Sequence, residues 1–539
     1  MSAPLGVFFE GVSLVKRTVF VVMILALLMA ACACDAEPTV SDAPSTSAGV
    51  VAVEELADYA IIYPSAYNSY RMRDVNTLKE DIDSLTGGNI KLIPDDEVYD
   101  GRAIIILDSR VATAFDGEVA QLGKSLGYII ALEKDTENII LGGNNYYASM
   151  LAMLDFGLNY VSSAVDAKAI KGFYKKEQLQ HKLTISASNL GARPIRTEEE
   201  FRGIANCGFN SLVVDSSFYD EDEMHDLVRW CAIYNIDLIM RSIMYTGVYY
   251  DSPNVKGHLM VDEPYGENAY KYYSNVCDDY NALYSALGWR PYVNILGQKT
   301  VINYLERNPE LFDSVDSLSM KVEPYNIHDM VEVYSLMANY VNSRDINYIA
   351  CIETHTYLAM EYKEIFESMA WLGLGSGAVG VGYFDYAATE GNSDDVTIAD
   401  SEYNVNEDVW NAARELNNEL RLFGDVMEGF EYKASFVDCS RDGISLFGDE
   451  SVLQKYNSIF DAKLEDKKSY TFFVGYFENK QTGEKAFMLV NLSGAIDSTL
   501  EFEVTATHAS AFEDGVDKEF FANGTVGIEG SDSVFVRIH

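Results

Sequence analysis

Val261-Asp262-Glu263-Pro264 closes an apolar run with two adjacent carboxylates, and another glutamate at the end of such a run, Glu353, follows 90 residues after Glu263. If both runs are strands of one (β/α)8 barrel, three strand–helix units separate them and both glutamates stand on the rim at the C-terminal ends of the strands. Two carboxyls sharing that mouth suit cleavage of a glycosidic bond, because one must protonate the leaving oxygen while the other attacks or activates water. The same rim would carry Arg241 after the third strand, Asn294 on the fifth, Glu323 and Tyr325 after the sixth, His355 after the seventh and Asp385 after the eighth. Together with Asp262 these are the expected substrate-binding groups. Barrel loops are polar in any case, and Glu263-Pro264 also reads as a helix-initiating turn with a solvated charge.

The elements that must position these residues follow from the rhythm of the chain. Residues 183–187, 211–214, 236–240, 257–261, 291–295, 314–320, 348–352 and 378–383 are apolar runs of strand length. Helical segments at 198–207, 221–234, 269–287, 300–307, 329–341 and 363–374 lie between them, and another at 409–422 follows. Such alternation builds a parallel sheet, and eight repeats close it. An open doubly wound sheet would carry a Gly-rich phosphate turn early, and none is present. Before the barrel, residues 58–174 read as a small α/β domain, with strands at 59–63, 90–93, 103–107 and a hairpin pair at 128–132 and 138–142. A charged connector, 175–182, leads into the barrel at 183–429. From 430 to 539 helical periodicity stops, and short strands at 472–477, 486–491, 501–504 and 533–538 signal a β-sandwich, with 462–468 as a loop. The fold class is α/β, a central (β/α)8 barrel between these two smaller domains.

The two glutamates resemble the retaining glycosidase clan whose acid/base ends strand four and whose nucleophile ends strand seven. That resemblance implies Glu263 as acid/base and Glu353 as nucleophile, with Asp262 and Glu353 supplying the like-charge repulsion that keeps the acid protonated. The clan has Asn before its acid/base, where this chain has Asp262; Asp-Glu-Pro at this place resembles a β-galactosidase-like variant. Met320-Lys321-Val322-Glu323-Pro324-Tyr325 resembles the sixth-strand segment that lines the sugar site in such barrels. Arg241 would hold a carboxylate, orient Glu353 or form an ordinary salt bridge. Gly142-Gly143-Asn144 leading into a helix resembles the accessory domain that precedes the barrel in hexosaminidase-type and α-glucuronidase-type enzymes. A non-catalytic barrel that captures carbohydrate, and a barrel that is only an interaction scaffold, remain the alternatives.

Eighty-three acidic against 40 basic side chains give a formal charge of −43, which argues against a nucleic-acid partner. Lys16 and Arg17 precede an apolar run, 19–31, that is short for a membrane span, so residues 1–31 read as a signal peptide. Met29-Ala30-Ala31-Cys32 resembles a bacterial lipoprotein box, which implies lipidation of Cys32, a tether over 32–57 and an extracytoplasmic location on the membrane. That lipid would be the chain's one contact with the membrane. Cys207, Cys231, Cys277, Cys351 and Cys439 show no paired spacing, and His258, His328 and His355 show no ligand pattern, so neither a metal nor another cofactor is expected.

Overall fold

The computed structural model describes residues 50–51, 53–161, 170–171, 173–242, 252–315, 317–322, 327–344, 346–354, 362–389, 397–439, 471–492, 498–503, 509–513, 515–520, 523–528, 530 and 532–539. The signal segment, Cys32 and the tether up to residue 49, the 462–468 loop and three rim candidates, Glu323, Tyr325 and His355, lie outside these residues, while the end of the expected tether is structured, with Val50–Val51 paired as a strand and Val53–Asp58 a 3-10 helix. The chain from Ala48 to His539 forms one compact unit.

Its first sheet has the order β3-β2-β4-β6-β5-β8. After the short β1 (Val50–Val51), the chain runs through β2 (Ala60–Tyr63), helix α1 (Ser69–Thr86), β3 (Lys91–Pro94), β4 (Ala103–Ile106), α2 (Asp116–Gln121), β5 (Tyr128–Leu132), β6 (Ile139–Gly143) and α3 (Tyr146–Phe156). Asn68 caps α1 by accepting from the Arg71 amide, and Gly87, in the left-handed region, ends it. Next come β7 (Ile170–Lys171), which pairs with β1, and β8 (Phe173–Lys176). β8 corrects the expected connector: Lys175 and Lys176 pair with Ile129 and Tyr128 on the edge of the sheet. Lysines on an edge strand keep it from recruiting further strands.

The barrel is closed and all parallel. Its strands are β9 (Thr184–Asn189), β10 (Ser211–Val214), β11 (Asp237–Met240), β12 (Val255–Asp262), β13 (Arg290–Leu296), β14 (Ser317–Lys321), β15 (Asn347–Glu353) and β16 (Gly380–Phe384). Helices α4 (Glu198–Asn206), α5 (Glu221–Tyr234), α6 (Glu267–Tyr284), α7 (Lys299–Arg307), α8 (Ile327–Asn342) and α9 (Tyr362–Gly375) lie between strands, and α10 (Glu407–Met427) follows the last. Thr197 and Asp220 close capping boxes with Glu200 and Glu223 and so fix where α4 and α5 begin. The sixth strand begins at Ser317 rather than at 314, because the chain is still turning at Phe312, whose φ is 62° and whose carbonyl accepts from the Val315 amide.

Strand periodicity sorts the side chains into two cores. Ile185, Leu212, Leu238, Val293, Leu318, Ala350 and Val381 join the large cluster that includes the helices, while Leu190, Ile239 and Leu259 form a separate one with Val213, Tyr292 and Phe384 packed against it. The second set belongs to the barrel lumen, so the opposite parity on each strand fixes which residues reach the mouth.

Beyond α10, β17 (Phe430–Cys439), β18 (Thr471–Asn479), β19 (Lys485–Asn491), β20 (Ser498–Glu503), β21 (Ala509–Glu513), β22 (Val516–Phe520), β23 (Asn523–Ile528) and β24 (Ser533–Ile538) form a six-stranded antiparallel sheet and a separate two-stranded one, β20 with β23. The result is a sandwich-like C-terminal domain. A Cβ on Gly475 would stand 2.0 Å from the Gly375 carbonyl oxygen, so this glycine is what lets α9 lie against β18.

Candidate functional site

On β14, Ser317, Ser319 and Lys321 share the lumen parity, and on β15 Ile349, Cys351 and Glu353 do. Lys321 is the Cα partner of Cys351, and Glu353 that of Phe384, so the end of β14 lies beside β15 and the end of β15 beside β16. Lys321 Nζ stands 3.4 Å from Glu263 Oε1 and 3.3 Å from Glu353 Oε2, and 4.0 Å from the centroid of the Phe384 ring. The two glutamate oxygens can be no farther apart than these two legs laid end to end, which lies below the roughly 10 Å that would put them out of reach of one glycosidic bond.

Glu263 sits there at φ 48°, a left-handed conformation that costs a non-glycine residue on the order of 1 kcal/mol. Its amide donates to the Asn294 carbonyl at 2.9 Å, which fixes the turn out of β12. The following helix starts only at Glu267, after an N-cap at Gly266, so Glu263-Pro264 is not a helix-initiating turn. The strain serves the direction of a side chain rather than the start of a helix.

Asp262 is the Cα partner of Asn294 and accepts from its Nδ2 at 2.6 Å. Arg241 is 3.9 Å from Asp262 and 3.9 Å from Asp215, and so braces strand ends two and four. Of the three roles expected for Arg241, orienting Glu353 is not the one found. Asn294 Oδ1 is buried with no hydrogen-bond partner, a state that leaves an acceptor for a donating hydroxyl.

Asp385 follows Phe384 at the end of β16. Ser188 Oγ donates to its Oδ1 at 3.1 Å, and Thr354 Oγ1 donates to the carbonyls of Phe384 and Asp385, both at 3.0 Å. Burial pushes the Asp385 carboxyl up to about 7, against the Ser188 hydrogen bond and the Lys321 charge, with Asp262 and Glu353 adding to the rise. Burial alone would pull the Lys321 ammonium down, but Glu353 and then Glu263 outweigh it and hold Lys321 above the ordinary lysine value. That direction makes Lys321 a bridging cation rather than an amine nucleophile, which needs a depressed value.

Lys321 is the rim residue that the reading of motifs missed. Its signal was available, since Ser317-Leu318-Ser319-Met320-Lys321 alternates and lysine falls on the polar parity. His258 lies elsewhere, on the outer face of β12, with Nδ1 2.6 Å from Tyr280 Oη and its ring 5.3 Å from that of Trp289; burial pushes it down to about 4, so it stays neutral. Among the described residues no group of three or more His, Cys, Asp or Glu is placed to hold a metal, and no helix is long and apolar enough to cross a membrane.

No protein-family model and no curated protein matches the chain. Among solved structures it is similar to a Saccharomyces cerevisiae Gas2p mutant in complex with laminaritetraose and laminaripentaose, at 10% identity and a TM-score of 0.35, over 46% of this chain and 65% of that one. It is also similar to a GH39 β-xylosidase from Caulobacter crescentus, at 9% identity and a TM-score of 0.33, over 67% of this chain and 96% of that one. An N-acetyl-β-hexosaminidase from Streptomyces plicatus matches at 12% identity and a TM-score of 0.28, over 60% of this chain and 74% of that one. At such scores these likenesses carry no functional argument, which rests on the rim side chains.

Proposed function

We propose that the chain hydrolyses glycosidic bonds of an extracellular oligo- or polysaccharide in the mouth of its barrel, held to the outside of a bacterial membrane by a lipid on Cys32. The observation that carries this reading is the convergence of Glu263 and Glu353 on one ammonium at the C-terminal ends of the strands. Glu353 attacks the anomeric carbon, and a second rim carboxyl, Glu263 in the clan it resembles, gives a proton to the departing oxygen. Arg241, Asp262, Asn294 and Asp385 offer hydrogen bonds to the sugar, and Glu323, Tyr325 and His355 are proposed beside them. A panel of 4-nitrophenyl glycosides and polysaccharides tests the reading with the parent and Glu353→Gln. Turnover by the parent with retention of anomeric configuration, reduced at least 1,000-fold in the variant, is the expected result. Full activity in Glu353→Gln refutes it.

One observation favours a second reading. Lys321 bridges the two glutamates, an arrangement that suits holding sugar hydroxyls as well as cleaving the bond between sugars. Binding by the parent without turnover, surviving Glu263→Gln, would select this capture role.

A further inference from the structure

The charges of the mouth pair off with one carboxyl left over. Among the described residues, Arg241 serves Asp215 and Asp262, Lys321 serves Glu263 and Glu353, and Asp385 has neither lysine nor arginine within ion-pair distance. Among the described residues its carboxyl accepts a hydrogen bond from a neutral hydroxyl alone, Ser188 Oγ to Oδ1, and its side chain is buried beside the lumen. A carboxyl in that setting is most stable with its proton on, and an acid must carry one when substrate arrives.

We propose that Asp385, and not Glu263, is the proton donor to the leaving oxygen, an assignment that rests on the hydrolytic reading above. The bond between the anomeric carbon and the glycosidic oxygen breaks, and its electron pair stays on that oxygen, which takes the proton from Asp385. The Glu353 carboxylate forms the new bond to the anomeric carbon. Water then displaces Glu353 and returns its proton to Asp385. Glu263 keeps Lys321 in place. The groups that face Asp385 are Ser188 from β9, Asp262 from β12, Lys321 from β14 and Glu353 from β15, and the value of about 7 that burial and these neighbours produce agrees with a group protonated at working pH.

The test compares 2,4-dinitrophenyl glycosides, whose leaving group departs unaided, with phenyl glycosides, whose leaving group needs a proton. Asp385→Asn is expected to lose at least 100-fold in kcat/KM on phenyl glycosides and less than 10-fold on dinitrophenyl ones. It should also lose the alkaline limb of the pH profile near 7, and azide should restore turnover of the dinitrophenyl substrate. Glu263→Gln should retain that limb. Ser188→Ala gives a second measure that leaves the carboxyl in place: removal of the hydroxyl that favours the ionised form should move the limb to higher pH. Equal losses on both substrates in Asp385→Asn, or an unmoved limb in Ser188→Ala, would overturn the assignment while hydrolysis stands. A parent without turnover on any glycoside refutes the hydrolytic reading and this assignment together.

Discussion

Asp385→Asn has a consequence for folding that needs no substrate. An ordinary aspartate loses its proton near 3.8, while in the folded chain Asp385 holds it to about 7. Between these values the native state binds more protons than the unfolded state, so stability falls as pH rises through that window and the penalty is complete above pH 7. Three units at 1.36 kcal/mol each set a ceiling of about 4 kcal/mol, and relaxation around the ionised group leaves ~2 kcal/mol as the expected effect. Asparagine keeps the shape and the bond from Ser188 and has no charge to bury, so relative to the parent it should gain nothing at pH 4 and about 2 kcal/mol at pH 8. Urea unfolding followed by tryptophan fluorescence at both pH values measures the difference. All other carboxyls are common to the two proteins and cancel to first order. A difference between variant and parent that is the same at pH 4 and pH 8 would refute the reasoning.

Lys321→Met leaves two carboxylates facing each other without a cation and should cost about 3 kcal/mol at pH 7. Because the folded lysine value lies above the unfolded one, this loss should persist through neutral pH and disappear only as the parent titrates above about pH 10.4. Thermal unfolding from pH 6 to 11 checks both parts. Gly257→Ala puts a Cβ 1.8 Å from the Arg290 carbonyl oxygen, where backbone must move, and should prevent β12 from pairing with β13; loss of soluble, cooperatively unfolding protein is expected. Asp74→Ala should cost about 3 kcal/mol in urea unfolding, because Asp74 accepts from Arg229 on α5 at 3.0 Å and from Tyr146 on α3 at 2.5 Å and is itself buried.

Much of this architecture is legible in the sequence for one physical reason: parallel strands covered on both sides are apolar runs, and the caps that start the helices are local. The αβ turn at Asn206-Cys207-Gly208 announces β10 because Gly208 takes a φ of 93° that its neighbours could not adopt cheaply. β17 is harder to read because a bulge between Tyr432 and Ala434 breaks the alternation that Phe430, Glu431 and Tyr432 begin. The rim was harder. Motif reading finds carboxylates by their company in sequence, whereas the pairing of Lys321 with Glu263 and Glu353 joins three strands. Tyr403 is a further case: it returns after the barrel has closed and its hydroxyl accepts from Asn189 Nδ2, a contact no local pattern encodes.

Asp262 brings these threads together. The resembled clan has an amide at this position, and here the amide stands one strand away as Asn294, with its Nδ2 committed to Asp262. Asp262→Asn would keep an oxygen for that bond but remove a negative charge from the mouth and release Arg241 to Asp215 alone. Asp262 and the Ser188 hydroxyl act on Asp385 in opposite directions, the charge favouring the proton and the hydroxyl favouring its loss. Asp262→Asn should therefore move the alkaline limb of turnover to lower pH, by about half a unit for a charge of this kind screened by an effective dielectric near 20. Ser188→Ala should move it the other way. If both substitutions shift the limb in the same direction, the proton it reports is not on Asp385, and the donor has to be sought among the carboxyls that Lys321 holds.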